Sequence, residues 1–215
     1  MRKTLVLVVG LTLSSGPVLA DDIFAPVWRG EANTVFAEWD TWAGFNTVPT
    51  PFYPDSWMSN PDGLASPDAQ AYDTAQYLAS YESRSDVVEI NGFAQLDFMM
   101  PNYLDQEFTE LWIQLTYWVA GPTDVTFLLD TDPYTDDING PYFEGSQSHD
   151  LGWVTEAYSL TILPSVGSEL VTLDFAGASS TPVYLDHVLI ESVAAPEPGT
   201  LGLLLAALVS VLRRR

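Results

Sequence analysis

The sequence predicts an all-β fold: an antiparallel β-sandwich flanked by an N-terminal signal helix and a C-terminal apolar helix. Three observations lead there. Apolar and polar side chains alternate with a period of two in several separate stretches, as strands with one face in a core do. A helical period is almost absent. The formal charge is −22, yet 47% of the residues are apolar and 13% aromatic, a content that a disordered acidic chain lacks.

The elements follow in chain order. Residues 34–42, TVFAEWDTW, read as an early strand. Residues 68–81, DAQAYDTAQYLASY, are the one helix candidate, Ala-rich and with Asp68 placed to cap. Residues 87–99 hold one or two strands, with a break at Asn91-Gly92. The strongest alternation is FTELWIQLTYWVAG, where Leu111, Ile113, Leu115, Tyr117 and Val119 alternate with Trp112, Gln114, Thr116 and Trp118. TDVTFLLD follows. GWVTEAYSLTILP places Val154, Glu156, Tyr158, Leu160 and Ile162 on one side. SELVTLDFAG and TPVYLDHVLIESV close the set. In the last, strict alternation puts Val183, Leu185, His187, Leu189 and Glu191 on one face, and Tyr184, Asp186, Val188 and Ile190 on the other. Seven or eight strands leave long connections at 43–66 and 130–150, and loops of that length in a compact domain are usually functional or mobile.

The ends differ from the middle. Arg2 and Lys3, the apolar run from Leu5 to Leu13, and Val18 and Ala20 ahead of Asp21 fit a secretory signal cut between Ala20 and Asp21. At the other end, Pro196-Glu197-Pro198 precedes an apolar run over 201–212 and then Arg213, Arg214 and Arg215. Twelve helical residues span about 18 Å, short of a hydrocarbon core of about 30 Å. The expected organisation is a signal peptide at 1–20, a β-sandwich domain at 21–193 and a sorting signal at 194–215. Residues 21–195 contain 28 acids against only Arg29 and Arg84, a charge of −26. So acidic a surface excludes nucleic acid as a partner. With no cysteine, disulfide and thiolate chemistry are excluded too.

The C-terminal pattern resembles the PEP-CTERM sorting domain, although its apolar run is shorter than is usual in that family. The resemblance implies export, transient membrane insertion, and processing near Pro-Glu-Pro by an exosortase-like protease after signal peptidase has acted. It also implies release or attachment outside a cell that makes exopolysaccharide. Trp28-Arg29-Gly30, FAEWDTW, LWIQLTYW, Gly152-Trp153 and VYLDHVLIE resemble a group of exported proteins with that signal, which brings no known activity. The closing strand, Tyr184-Leu185-Asp186-His187-Val188, is similar to that of jelly-roll carbohydrate-binding and galactose-binding-like sandwiches. That second likeness implies a jelly-roll-like sandwich and a structural calcium held by Asp186 and, loosely, Glu38.

Read from the residues themselves, enzymatic constellations are thin. The chain has two histidines, His149 and His187, each beside an aspartate that alternation points to the opposite face or that sits in a polar loop. No metalloprotease or phosphate-cradling motif occurs. Among 28 acids a carboxylate pair has no diagnostic value. Loop 130–140 has Asp130, Asp132, Asp136, Asp137 and Asn139 but not the glycine of a calcium loop, and reads as a solvated acidic loop. Aromatics over 42–81 lie outside confident strands, where they either plug an open end or line a binding surface. Trp42, Trp57, Trp112 and Trp118 are the candidate glycan-binding side chains. The expectation is therefore an exported, non-enzymatic surface or matrix protein associated with extracellular polysaccharide. The alternatives are a calcium-stabilised lectin-like module and, more distantly, a glycoside-active enzyme.

Overall fold

The computed structural model describes residues 23–31, 33–45, 51–57, 66–103, 106–119, 126–130, 137–165, 167–175 and 182–195. Both end segments, with Ala20, Asp21, Pro196, Glu197, Pro198 and Arg213 to Arg215, lie outside the described residues. So do most of loop 43–66 and residues 131–136. Ten strands are described: β1 (Thr34–Trp39), β2 (Ser56–Trp57), β3 (Asp68–Tyr81), β4 (Arg84–Pro101), β5 (Phe108–Val119), β6 (Thr126–Asp130), β7 (Asp137–Ser148), β8 (Trp153–Leu163), β9 (Ser168–Asp174) and β10 (Val183–Ala195). A single 3-10 turn, Asp150–Gly152, separates β7 from β8. All named pairs are antiparallel, consistent with a sandwich.

The hydrogen-bonded network is continuous in the order β6-β9-β4-β10-β5-β8-β7, with β3 on β4 and β1 on β10. It folds over on itself through β4. Residues Val88 to Ile90 pair with β10, whereas Gln95 to Pro101 pair with β9. Between these two stretches the β3–β4 register shifts, so that three residues of β4, Asn91 to Phe93, stand opposite one of β3. Asn91-Gly92, expected to end a strand, is instead where one 18-residue strand passes from the first layer to the second. Core side chains from both layers meet between them. Trp39 of β1 packs edge-on against Phe98 of β4 with centroids 4.9 Å apart, both fully buried.

Two sequence expectations are corrected. Residues 68–81 form β3, not a helix. Ala69, Ala71 and Ala75 are buried in the core and the whole segment is laddered to β4, so pairing and burial override the helix preference of alanine. Residues 137–148, expected to be loop, form β7 along the edge of β8. Its Gly, Pro and Ser content hides the strand, and two register shifts blur the alternation.

β10 has β5 along one side throughout. Its other side is shared in series: β4 covers Val183 to Leu185, and β1 covers Val188 to Val193. A bulge lies at the handover, between Leu185 and His187. It shifts the parity of the strand. Val183, Leu185, Val188 and Ile190 all face the common core, so His187, Leu189 and Glu191 lie on the outer face with Tyr184. Strict alternation assigned these residues differently, because a bulge inserts one residue without announcing itself in the pattern.

One end of the core is closed by polar groups from both layers. Glu169 of β9 is fully buried and accepts from Asn102 Nδ2 at 2.6 Å. Asn102 also bonds Thr109 of β5, which bonds Ser165 at 2.8 Å. The second carboxyl oxygen of Glu169 is buried without a partner. Burial pushes this carboxyl up to about 8, against the pull of the Asn102 and Thr109 hydrogen bonds. The folded state therefore keeps a proton that the unfolded chain releases near 4.5. The stabilisation is complete below 4.5 and is lost as pH rises through about 8. Glu169→Gln carries no titrating proton, so its melting temperature should fall less between those pH values than that of the wild type. Parallel profiles in thermal melts would refute the assignment.

Candidate functional site

The outer face of the first layer is built from alternate residues of β10, β5, β8 and β7. Register places Glu110 beside Thr161 and Trp112 beside Ser159. On the same rung as Trp112 lie Glu191 of β10 and, beyond Ser159, Tyr142 of β7. Alternation along β5 makes Glu110, Trp112, Gln114, Thr116 and Trp118 one row. Gln114 and Thr116 in that row are nevertheless fully buried, because something covers them.

The cover at Gln114 is the segment 23–31, which straps across the strands. The Phe24 backbone N–H donates to Gln114 Oε1 at 2.8 Å. The Phe24 ring lies against β7 at Gly145, where an added Cβ would stand 2.9 Å from ring carbon Cε1, so a larger residue there would have to displace the ring. Further on, the strap turns, with the Glu31 N–H bonded to the Trp28 carbonyl at 3.0 Å. Arg29 Nε then meets Glu191 Oε1 on β10 at 2.7 Å. The strap is thus fixed at a β7 contact and a β10 ion pair.

Between strap and sheet is an open cavity of about 340 Å³, near the lower end of the range for small-molecule sites. The strap contributes Ala25 to Trp28, and the sheet contributes Glu110, Trp112, Glu144, Ser159 and Thr161. The Ser159 hydroxyl donates to Glu144, which fixes that carboxylate over the strand pair. The indole Nε1 of Trp112 is buried and has no acceptor in the protein. Two indoles, two carboxylates and two hydroxyls converge here, and among the described residues no basic side chain lines the cavity. Such a site can stack on a ring and accept hydrogen bonds from its substituents.

Of the candidate tryptophans, Trp112 is in this cavity and the others are not. Trp42 is fully buried, stacked on Phe52 at 5.7 Å and edge-on to Phe45 at 5.3 Å, so it plugs the core and offers no face to a ligand. Trp118 shares the row of Trp112 but is six residues away, about 20 Å along a strand. It packs instead against Tyr81 and Tyr184, and its indole N–H donates to the Leu151 carbonyl at 2.8 Å. Gly152, at φ 89°, brings the backbone close to that indole. Trp57 is 42% exposed on the short edge strand β2.

Asp186 and Glu38 take separate partners. Asp186 Oδ2 accepts from Arg84 Nη1 at 2.8 Å, and the Asp186 carbonyl accepts from the Trp42 indole at 2.7 Å. Glu38 Oε1 lies 3.0 Å from Nε2 of the buried His187. Among the described residues no group of three or more His, Cys, Asp or Glu side chains is arranged to hold a metal ion. His149 is half-buried, with Nε2 2.7 Å from the hydroxyl of Thr155.

Glu110, Trp28 and Glu144 line the cavity, and the sequence does not single them out as binding residues. Glu110 was within reach, two residues before Trp112 on a recognised strand. Glu144 was hidden in a segment read as loop, and nothing in the sequence indicates that Trp28 folds back over β5. A further constellation lies on the opposite face. The hydroxyls of Tyr117 and Tyr158 both donate to Glu156 Oε2, at 2.8 and 2.6 Å, with the exposed Phe143 edge-on to Tyr158. Burial, then the bond to Glu156, raises both phenols above their ordinary value. No family model and no curated protein matches this chain.

The Arg84–Asp186 pair is testable by substitution. Asp186→Ala leaves a mostly buried guanidinium without this carboxylate and should cost about 2–3 kcal/mol in chemical denaturation. Adding Arg84→Met should recover part of that cost. A single-variant loss within about 0.5 kcal/mol, the range of ordinary surface substitutions, would refute the pairing.

Proposed function

We propose that this is an exported, non-enzymatic surface or matrix protein whose domain binds an extracellular polysaccharide in the cavity under the strap. The supporting observation is the cavity itself, with Trp28 and Trp112 beside Glu110, Glu144, Ser159 and Thr161. Indole faces stack on the C–H faces of sugar rings, and carboxylates and hydroxyls bond their hydroxyl groups. Tyr142, half exposed, is on the same rung as Trp112 and two strands away, about 10 Å. That separation suits a linear glycan lying across the strands.

The histidines favour binding over catalysis. His149 bonds Thr155, which is buried and bonded in turn to Thr116 at 2.7 Å. His187 is buried against Glu38. Neither imidazole presents an activated hydroxyl to an open site.

Delivery belongs to the same proposal. Residues 1–20 direct export, and 194–215 act as a PEP-CTERM-type signal read by an exosortase-like protease. In this reading the sandwich is jelly-roll-like and the two end segments are helical. A structural calcium at Asp186 and Glu38 would have to compete with Arg84 and His187.

The decisive measurement is a glycan array with the full chain, with and without EDTA. Binding is expected, and Trp112→Ala should weaken it roughly tenfold or more, the equivalent of about 1.4 kcal/mol. Absence of binding to every glycan, or binding indifferent to Trp112, would refute the site. Deleting residues 196–215 should change where the protein accumulates, and unchanged localisation would refute the sorting proposal.

A further inference from the structure

We infer that the ligand of the strap cavity is a cationic glycan, a polysaccharide whose sugar rings carry free, protonated amines. The inference rests on the glycan reading above and narrows it to a chemical class.

The charge of the cavity lining discriminates between classes of sugar. Glu110 and Glu144 come from two different strands, and among the described residues no Lys, Arg or His lines its walls. The nearest cation in the sequence, Arg29, follows Trp28 directly but is directed to Glu191 of β10. The only other basic residue of 21–195, Arg84, is paired with Asp186 and lies over the ring of Trp153 at 5.7 Å. Both arginines of a −26 domain therefore have carboxylate partners on β10, and neither lines the cavity.

Each class of sugar fares differently in such a site. A uronate or sulfated sugar would bring a further negative charge to two carboxylates inside a strongly negative field. A neutral sugar would gain the stacking and the hydrogen bonds but leave the two carboxylates without a counter-charge. An aminated ring supplies that counter-charge. Its ammonium group donates up to three hydrogen bonds to carboxylate oxygens and is attracted to an indole face, and its ring supplies the C–H surface that the other indole can stack on. The long-range field adds a faster encounter with a polycation, and this contribution weakens as salt is added.

The position of Glu144 supports a recognition role. The Ser159 hydroxyl, from the neighbouring strand, holds this exposed carboxylate at the cavity wall. An exposed glutamate tethered by a neighbouring hydroxyl has lost rotamer freedom before any ligand arrives, which lowers the cost of binding.

The test titrates the full chain by calorimetry with a β-1,4-linked glucosamine oligomer and with its fully N-acetylated counterpart, at a pH where the free amines are protonated. The same titrations are run on a Glu110→Gln/Glu144→Gln variant whose fold is checked by circular dichroism. The free-amine oligomer should bind the wild type at least tenfold more tightly, and the double variant should reduce that preference to less than twofold while still binding the N-acetylated oligomer. The preference should also shrink as salt is raised. Equal or tighter binding of the N-acetylated oligomer would overturn the cationic assignment and leave the glycan reading standing. No binding of either oligomer or of any array glycan would remove both. Amine preference that survives the double variant would be general attraction to an acidic surface, and would overturn the assignment to this cavity.

Discussion

Much of the structure depends on a strand with two successive neighbours along one edge. β10 gives its first rungs to β4 and its last to β1, and at Asp186 it has neither. Backbone and carboxylate groups left there without partners inside the fold would cost about 1–3 kcal/mol or more. The Trp42 indole takes the carbonyl and Arg84 takes the carboxylate. Trp42 is held in turn by its backbone bond to Asp86 of β4. The handover is thus tied to β4 and to the segment that follows β1. The bulge that accompanies it turns His187 and Glu191 outward, which places an acid where Arg29 can anchor the strap and so roof the cavity.

The same arrangement gives the acidic composition a local meaning. A net charge is an average, whereas a site responds to the few groups within a Debye length of it. In this domain the positive side chains are few enough to follow individually, and both are drawn to one strand. The rest of the surface keeps its negative field, and the strap cavity lies inside that field with two carboxylates of its own.

How much of this was legible in the sequence depended on how regular each stretch is. β5, β8, β9 and β10 were clear because their alternation is uninterrupted or nearly so. β3 looks helical in the sequence because alanine and polar residues satisfy both periods, and only the ladder to β4 decides between them. β7 looks like a loop in the sequence because bulges and small residues remove the pattern. The face of Trp112 was legible, but its surroundings were not. A cavity formed by a segment some eighty residues upstream is a tertiary fact with no local signature. Glu169 illustrates the same limit: an acid inside SELVTLD looks like an ordinary surface residue until the loop carrying Asn102 is seen to cover it.

The long hairpin of β3 and β4 has a mechanical consequence. Most sandwiches hold their two layers together by side-chain contact, so a shearing load is resisted by dispersion and hydrophobic packing alone. Here a single covalent strand is a member of both layers, bending from one to the other at Asn91 to Phe93. Sliding one layer across the other therefore has to deform a polypeptide backbone and its paired neighbour. Such a shared beam would carry strain through the domain and spare the cavity on its outer face from distortion.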